Sequence, residues 1–283
     1  MKLHELLTAC TRRFEEAGFD SPGVEAAYLL EYAVGIRHTH FALHRDLELP
    51  EDQMERARDY LKRRLADEPF QYICGWTEFR EIRLKVAPGC LIPRPETEML
   101  VELALRDLPR GARVCEPGTG SGAVALSIAY ERPDAFVYAT ELSPEAFRIA
   151  SDNLETLGLG NVRLLRGDLF SPLPPDVKFQ LLAANLPYIP ESARASLPRN
   201  VRDYEPEMAL FAPHEGMGLI ERALREAPPH LADGAVLLFE MGSEQGRALA
   251  DFAGSLGYAD VEILRDQYGA DRFLRCKFPG KRL

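Results

Sequence analysis

Five apolar runs, each closed by a glycine or a polar residue, constrain this chain more than any other feature. They are Arg113-Val114-Cys115, residues 135–139, residues 161–165, Phe179-Gln180-Leu181-Leu182-Ala183-Ala184 and residues 235–239. Helical patterns separate them, such as the Ala-, Val- and Ile-rich stretch after residue 122 and the one begun by Ser143-Pro144-Glu145. Short apolar runs alternating with helices predict βα units, hence a mainly parallel sheet covered on both faces. Two later runs, residues 261–264 and 273–278, predict a final hairpin. In such sheets a ligand crevice lies at the carboxyl ends of the strands. The closing residues are therefore the candidates for chemistry: Glu116, Glu141, Asp168 and Asn185.

The first 73 residues read differently. Leu3, Leu6, Leu7, Cys10 and Phe14 recur at helical spacing. Ser21-Pro22 predicts a helix start with a serine cap. Pro50-Glu51-Asp52 predicts another, acidic at its start and basic at Lys62-Arg63-Arg64, as the helix dipole favours. That basic cluster reads as a solvated helix end. Residues 79–86 alternate and predict a strand or hairpin, ended by Pro88-Gly89. Pro93-Arg94-Pro95 restarts the chain as a helix. Trp76 reads as a packing residue at the junction.

At 283 residues and 46% hydrophobic content, one large or two modest domains with a sizeable core are expected. A net charge of −10 argues against a surface that wraps a phosphate backbone. The five cysteines form no Cys-x-x-Cys pair, so reduced thiols in a cytosolic protein are expected, without zinc or disulfides. There is no apolar signal region and no membrane-spanning run. His38, His40 and His44 lie in no H-E-x-x-H frame, and no metal is expected.

Glu116-Pro117-Gly118-Thr119-Gly120-Ser121-Gly122 joins the first strand to its helix. Three alternating glycines let the backbone turn sharply and let a ligand approach without a Cβ in the way. Gly118, Gly120 and Ala123 also satisfy the relaxed dinucleotide fingerprint, so a nicotinamide cofactor stays open at this point. Glu141, 19 residues after Gly122, suits a ribose diol. Asp168 could accept an adenine amino group, with Leu169 against the ring. These positions suit any adenosine-bearing cofactor.

Asn185-Leu186-Pro187-Tyr188 narrows the choice. The Asn185 oxygen and the Leu186 carbonyl can each accept one N–H of a planar –NH2, and Tyr188 can stack on it. Hydride transfer needs no such clamp, whereas methyl transfer to nitrogen does. Holding the acceptor in line with a sulfonium methyl is worth up to ~7–11 kcal/mol of barrier.

These residues together resemble the release factor glutamine methyltransferases, the HemK/PrmC family of class I S-adenosylmethionine-dependent methyltransferases. Phe70-Gln71-Tyr72-Ile73, Leu91-Ile92-Pro93-Arg94-Pro95-Glu96-Thr97-Glu98 and Tyr204-Glu205-Pro206-Glu207-Met208-Ala209-Leu210 carry the likeness. Gly216, Gly218-Leu219, Phe239-Glu240-Met241-Gly242, Gln245-Gly246 and Asp271-Arg272 extend it.

The resemblance implies a Rossmann-like α/β class I methyltransferase sheet with a small N-terminal helical domain joined by a β-hairpin linker. Residues 1–74 would be the substrate-recognition domain, 75–92 the linker and 93–283 the methyltransferase domain. It implies N5-methylation of the glutamine of a Gly-Gly-Gln motif in a class I peptide chain release factor, by a cytoplasmic, monomeric enzyme with no membrane or direct nucleic-acid partner. Glu116, Gly118, Thr119, Gly120, Ser121, Gly122, Glu141, Asp168, Leu169 and Asn185 would bind S-adenosylmethionine. Asn185, Leu186, Pro187 and Tyr188 would hold the glutamine, with Asn185, Pro187 and Tyr188 catalytic. Two departures from the family pattern stand out: Leu186 stands for the usual proline, and Glu116-Pro117 for Asp-Leu. Ribosomal RNA adenine dimethyltransferases also use Asn-Leu-Pro-Tyr. An adenine-N6 methyltransferase acting on RNA or DNA therefore remains an alternative, as does a glutamine methyltransferase acting on a ribosomal protein.

Overall fold

The computed structural model describes residues 1–280. By its internal contacts the chain separates into two units, residues 1–75 with 199–204, and residues 76–198 with 205 onward.

The first unit is helical. α1 (Leu3–Glu16) buries Leu3, Leu6, Cys10 and Phe14, the stripe that the sequence spacing predicts. α2 (Pro22–Val34) starts at Pro22 and ends where Gly35 turns left-handed, at φ +74°. Ser21 occupies its N-cap position, but the side chain makes no capping bond. Proline at the first helical position, which lacks an N–H, is what begins this helix. α3 (Glu51–Leu65) and α4 (Phe70–Cys74) follow. The basic end of α3 is not simply solvated. Arg64 donates two bonds of 2.8 Å to Glu25, and Arg63 donates to Glu68 at 2.8 and 2.6 Å. Bidentate guanidinium–carboxylate geometry holds the helices at a fixed angle, and only Lys62 of the three stays exposed.

The second unit opens with a hairpin, β1 (Trp76–Phe79) and β2 (Ile82–Lys85). Ile82 and Leu84 are buried and Arg83 and Lys85 exposed, the two-residue period of a half-buried strand. α5 (Pro95–Asp107) leads into β3 (Arg113–Pro117), α6 (Ala123–Glu131), β4 (Phe136–Glu141), α7 (Pro144–Leu157), β5 (Val162–Arg166) and β6 (Phe179–Ala184). The chain then passes through α8 (Arg199–Arg202), which groups with the helical unit through Tyr204 Oη to the Ala66 carbonyl at 2.6 Å and Arg199 to Asp67 at 3.0 Å. α9 (Glu207–Leu210), α10 (Gly218–Glu226), β7 (Leu231–Glu240), α11 (Gly246–Ser255), β8 (Ala259–Arg265) and β9 (Asp271–Lys277) complete it.

The strands form a seven-stranded sheet in the order β5-β4-β3-β6-β7-β9-β8. β9 runs antiparallel to β7 and β8; the other pairs are parallel. Val114, Leu181, Ala183, Val236 and Leu238 face one core with α5 and α6. Cys115, Leu182, Ala184, Leu237 and Phe239 face the other with α10 and α11. The chain winds outward from β3 to β5 and then returns to β6 on the opposite side. That reversal opens a crevice at the carboxyl ends of β3 and β6, where a topological switch point places a ligand. Among the described residues no helix is long and apolar enough to cross a membrane.

Candidate active site

The glycine turn lies at that crevice. Gly118, Gly120 and Gly122 all have positive φ, at +72°, +58° and +87°. Gly118 N and Thr119 N donate to the Thr140 carbonyl at 2.9 and 3.0 Å, which pins the turn to β4. Asn153 of α7, only 2% exposed, supports it from below. Its Nδ2 donates to the Ser121 and Lys85 carbonyls, and its Oδ1 accepts from Lys85 N at 2.7 Å. One buried amide thus ties the hairpin, α7 and the glycine turn together. Its polar atoms are all paired, as burial demands.

Two carboxylates face each other across the turn. Glu141 accepts from Gly120 N and Ser143 N, both at 2.8 Å, one on each oxygen. Each oxygen keeps a lone pair, which is what a vicinal diol needs. Glu116 takes both of its bonds on Oε2, from Thr119 Oγ1 at 2.5 Å and Ala125 N at 2.9 Å. Its Oε1 has no partner among the described residues, and Glu116 lines the cavity. Burial pushes the Glu116 carboxyl up to about 8, against its two hydrogen bonds, and the nearby Glu141 charge adds to the rise. A cation at Oε1 would reverse that balance.

Asp168 and Leu169 also line the cavity. Both Asp168 oxygens already hold Arg222, at 3.0 and 2.8 Å, so the group presented there is an ion pair. Leu169 takes a positive φ of +43°, and its carbonyl accepts from Thr140 Oγ1 at 2.6 Å.

The Asn-Leu-Pro-Tyr segment follows β6 and is held at every residue but its proline. Asn185 Nδ2 donates to Thr97 Oγ1 at 2.9 Å, and its Oδ1 has no partner among the described residues. The Leu186 side chain is 2% exposed and packs in the core beside Gly118. Tyr188 Oη donates to Glu240 at 3.1 Å, and its carbonyl accepts from Gln245 Nε2 at 2.8 Å. Burial holds the Tyr188 phenol well above its ordinary range, with the Glu240 charge adding to it. It is therefore a hydrogen-bond donor and not a base at neutral pH. Ile189 then pairs with the 210–212 segment through Ile189 N to Leu210 O and Ala212 N to Ile189 O, both 3.0 Å. The loop lacks the first proline of the family motif, and these anchors supply the rigidity which that proline would give.

These groups enclose a cavity of about 320 Å³. Its wall carries Glu116, Gly118 to Ser121, Glu141, Asp168, Leu169 and Asn185 to Pro187, with Leu142, Met208 and Leu219 as apolar lining; Gly122, expected to bind the cofactor, stands outside the lining, against Leu126. Tyr188 lies just behind this wall. Sequence reading assigned no role to Thr97, Asn153, Glu240 or Gln245. The signal for Glu240 was its place at a strand's carboxyl end. For Thr97, in the first turn of α5, the signal was its place in the Leu91-Ile92-Pro93-Arg94-Pro95-Glu96-Thr97-Glu98 motif.

Comparison with known proteins follows the two units. The family described as PrmC N-terminal domain matches residues 5–75, and the family described as Methyltransferase domain matches residues 108–228. The chain is 38% identical to the release factor glutamine methyltransferase of Deinococcus radiodurans over 99% of its own length and all of the relative's. It is also 38% identical to the release factor glutamine methyltransferase of Moorella thermoacetica, covering 96% of this chain and 97% of the relative. Among solved structures, a methyltransferase from Pyrococcus furiosus superposes with a TM-score of 0.52 at 21% identity, covering 81% of this chain and 99% of that one. This last likeness shows the fold alone.

Proposed function

The chain belongs to the release factor glutamine methyltransferase family, and from that premise we propose how its own residues carry the reaction. The substrate is the glutamine of a Gly-Gly-Gln motif in a class I peptide chain release factor, methylated on its side-chain nitrogen. S-adenosylmethionine, the methyl donor of this class, supplies the methyl on a sulfonium sulfur.

The donor set fits that cofactor. Glu116, lining the cavity with its Oε1 unpartnered among the described residues, suits a cationic amine. Glu141 suits the ribose hydroxyls and Leu169 the adenine face, with the Asp168–Arg222 pair at the adenine edge. Gly120 leaves open space where a Cβ would stand, whereas Cβ atoms at Gly118 and Gly122 would strike Leu186 and Leu126. A volume of about 320 Å³ lies at the lower end of ordinary ligand sites.

Asn185 Oδ1 and the Leu186 carbonyl accept the two amide hydrogens of the glutamine. An amide nitrogen is a weak nucleophile because its lone pair is delocalised into the carbonyl. Two acceptors hold it in line and stabilise the positive charge that grows on it as the N–C bond forms and the C–S bond breaks. The surplus proton then leaves to water. No side chain there acts as a strong base: Asn185 is neutral, and Tyr188 keeps its own proton. Pro187 stiffens the loop, and Tyr188, behind the cavity wall and bonded to Glu240, backs it rather than stacking on the amide as the sequence suggests. Positioning and desolvation are therefore the catalytic devices.

The observation that carries this reading is Asn185 itself, its nitrogen tied to Thr97 and its oxygen left for a donor. The proposal extends to a monomer acting in the cytoplasm on protein rather than nucleic acid, with the helical segment 1–74 recognising the release factor and 75–92 linking it to the methyltransferase portion. Incubation with S-adenosylmethionine and a release factor, followed by mass spectrometry, tests it. The expected result is one added methylene on the Gly-Gly-Gln glutamine. Transfer to RNA alone would overturn it.

A further inference from the structure

Glu240 ends β7 and is 1% exposed. Its Oε2 accepts from Thr97 Oγ1 at 2.7 Å, and its Oε1 accepts from Tyr188 Oη at 3.1 Å. Thr97 in turn accepts from Asn185 Nδ2 at 2.9 Å. Four residues from α5, the loop after β6 and the end of β7 thus form one connected chain of bonds. Burial raises the Glu240 carboxyl above its ordinary value, while the bonds from Thr97 and Tyr188 and the Arg272 charge oppose that rise and favour the ionised form. Both hydroxyls donate to it, each has a single proton, and an ionised carboxylate has none to give back. Thr97 therefore spends its proton on Glu240, and toward Asn185 it can only accept. Only the nitrogen end of the Asn185 amide can satisfy it.

We propose that Glu240 and Thr97 are positioning residues which fix the flip of the Asn185 amide, so that its oxygen alone faces the substrate and the site selects an –NH2 donor over an oxygen isostere. The inference rests on the glutamine reading given above, and it supplies the reason that reading needs. A freely flipping asparagine would present a donor and an acceptor in turn, and it would serve a glutamate side chain as readily as a glutamine. With the amide locked, a carboxylate meets lone pair against lone pair. Specificity then comes partly from repulsion of the wrong group. The second bond to Glu240 likewise fixes the Tyr188 hydroxyl behind the cavity wall.

The test compares Thr97→Val, which has the same shape but no hydroxyl, with Thr97→Ser, which keeps it. Three readouts are taken. Turnover on release factor should fall roughly 100-fold in Thr97→Val with little change in cofactor affinity, and Thr97→Ser should restore most of it. Inhibition by a release factor carrying Gly-Gly-Glu should strengthen in Thr97→Val and stay weak in wild type and Thr97→Ser. The third readout needs no substrate. The Asn185 side-chain NH2 signal in a ¹⁵N spectrum, assigned by its loss in Asn185→Ala, should exchange slowly with solvent in wild type and Thr97→Ser and quickly in Thr97→Val. Equal exchange in all three, or valine and serine variants equally impaired in turnover, would overturn the relay. Absence of release-factor methylation by the wild type would instead strike the glutamine reading, while the exchange measurement would still decide the relay.

Discussion

Leu186 Cδ2 lies 2.8 Å from the position that a Cβ on Gly118 would occupy. The Asn-Leu-Pro-Tyr loop and the glycine turn are therefore in direct contact, and each limits the other's side chains. Gly118→Ala is expected to weaken cofactor binding for two reasons: strain at φ +72°, and the push on Leu186. Leu186→Pro removes the obstructing methyl but keeps the carbonyl acceptor, so turnover should stay within about threefold of wild type, with a lower melting temperature from the lost buried side chain. In the Leu186→Pro background Gly118→Ala should cost less affinity than it does alone, since residues in contact do not add. Calorimetric affinities for the four proteins check this; strict additivity would show that the contact carries no energy.

Asn185→Ala removes one acceptor and leaves Glu116, Glu141 and the glycine turn untouched. Cofactor affinity should hardly change, and turnover should drop by at least ~100-fold. Single-turnover kinetics with release factor, alongside equilibrium binding, separate the two effects. An unaltered rate would remove Asn185 from the clamp.

The parallel sheet, its final hairpin and the glycine turn were legible because period and turn chemistry are local properties. Phe179 to Ala184 shows its burial in its composition alone, and Gly118, Gly120 and Gly122 announce positive φ by lacking a Cβ. Pairings across the sheet were not legible. Thr97 and Asn185 are 88 positions apart, and Thr97 and Glu240 are 143 apart; nothing local says that they meet. Arg64 likewise reads as a solvated helix end until Glu25, 39 positions away, is seen to hold it. The same holds for Asp168, whose engagement by Arg222 is invisible in a turn sequence. Ser21 shows the opposite failure, a good local signal whose side chain the fold does not use.

Glu116 predicts a pH dependence. Burial raises its carboxyl from an ordinary value near 4.5 to about 8, opposed by bonds from Thr119 and Ala125 N. A raised folded-state value means that the protonated form suits the fold. Its contribution to stability is complete below about 4.5 and is lost as pH rises through about 8. The cofactor-free protein should melt at progressively lower temperature across that window, relative to Glu116→Gln, which has no proton to lose. Affinity for a cationic cofactor should move the other way and strengthen toward pH 8, because binding favours the ionised carboxylate. Melting curves and titrations at half-unit pH steps read both trends. Parallel trends in wild type and Glu116→Gln would assign the effect elsewhere.

Gly216 sits at φ +84°, and a Cβ there would fall 2.0 Å from the Tyr188 carbonyl oxygen and 2.6 Å from Gln245 Nε2. Gln245 Nε2 donates to that carbonyl and to the Glu215 carbonyl at 2.8 and 2.9 Å, while its Oε1 accepts from Gly242 N at 2.8 Å. The far side of the Asn-Leu-Pro-Tyr loop thus rests on backbone and on a fully engaged amide, neither of which can swing aside as a flexible methyl could. Gly216→Ala must displace the loop from its support. The expected cost is about 1–3 kcal/mol of stability from backbone strain, with turnover falling further than cofactor affinity, because the displaced residues are Tyr188 and its neighbours and not the glycine turn. Gln245→Leu should reproduce the loss of turnover without the backbone strain. Denaturant midpoints together with turnover and binding for both variants check this, and a Gly216→Ala enzyme with wild-type turnover would show that the loop tolerates a different path.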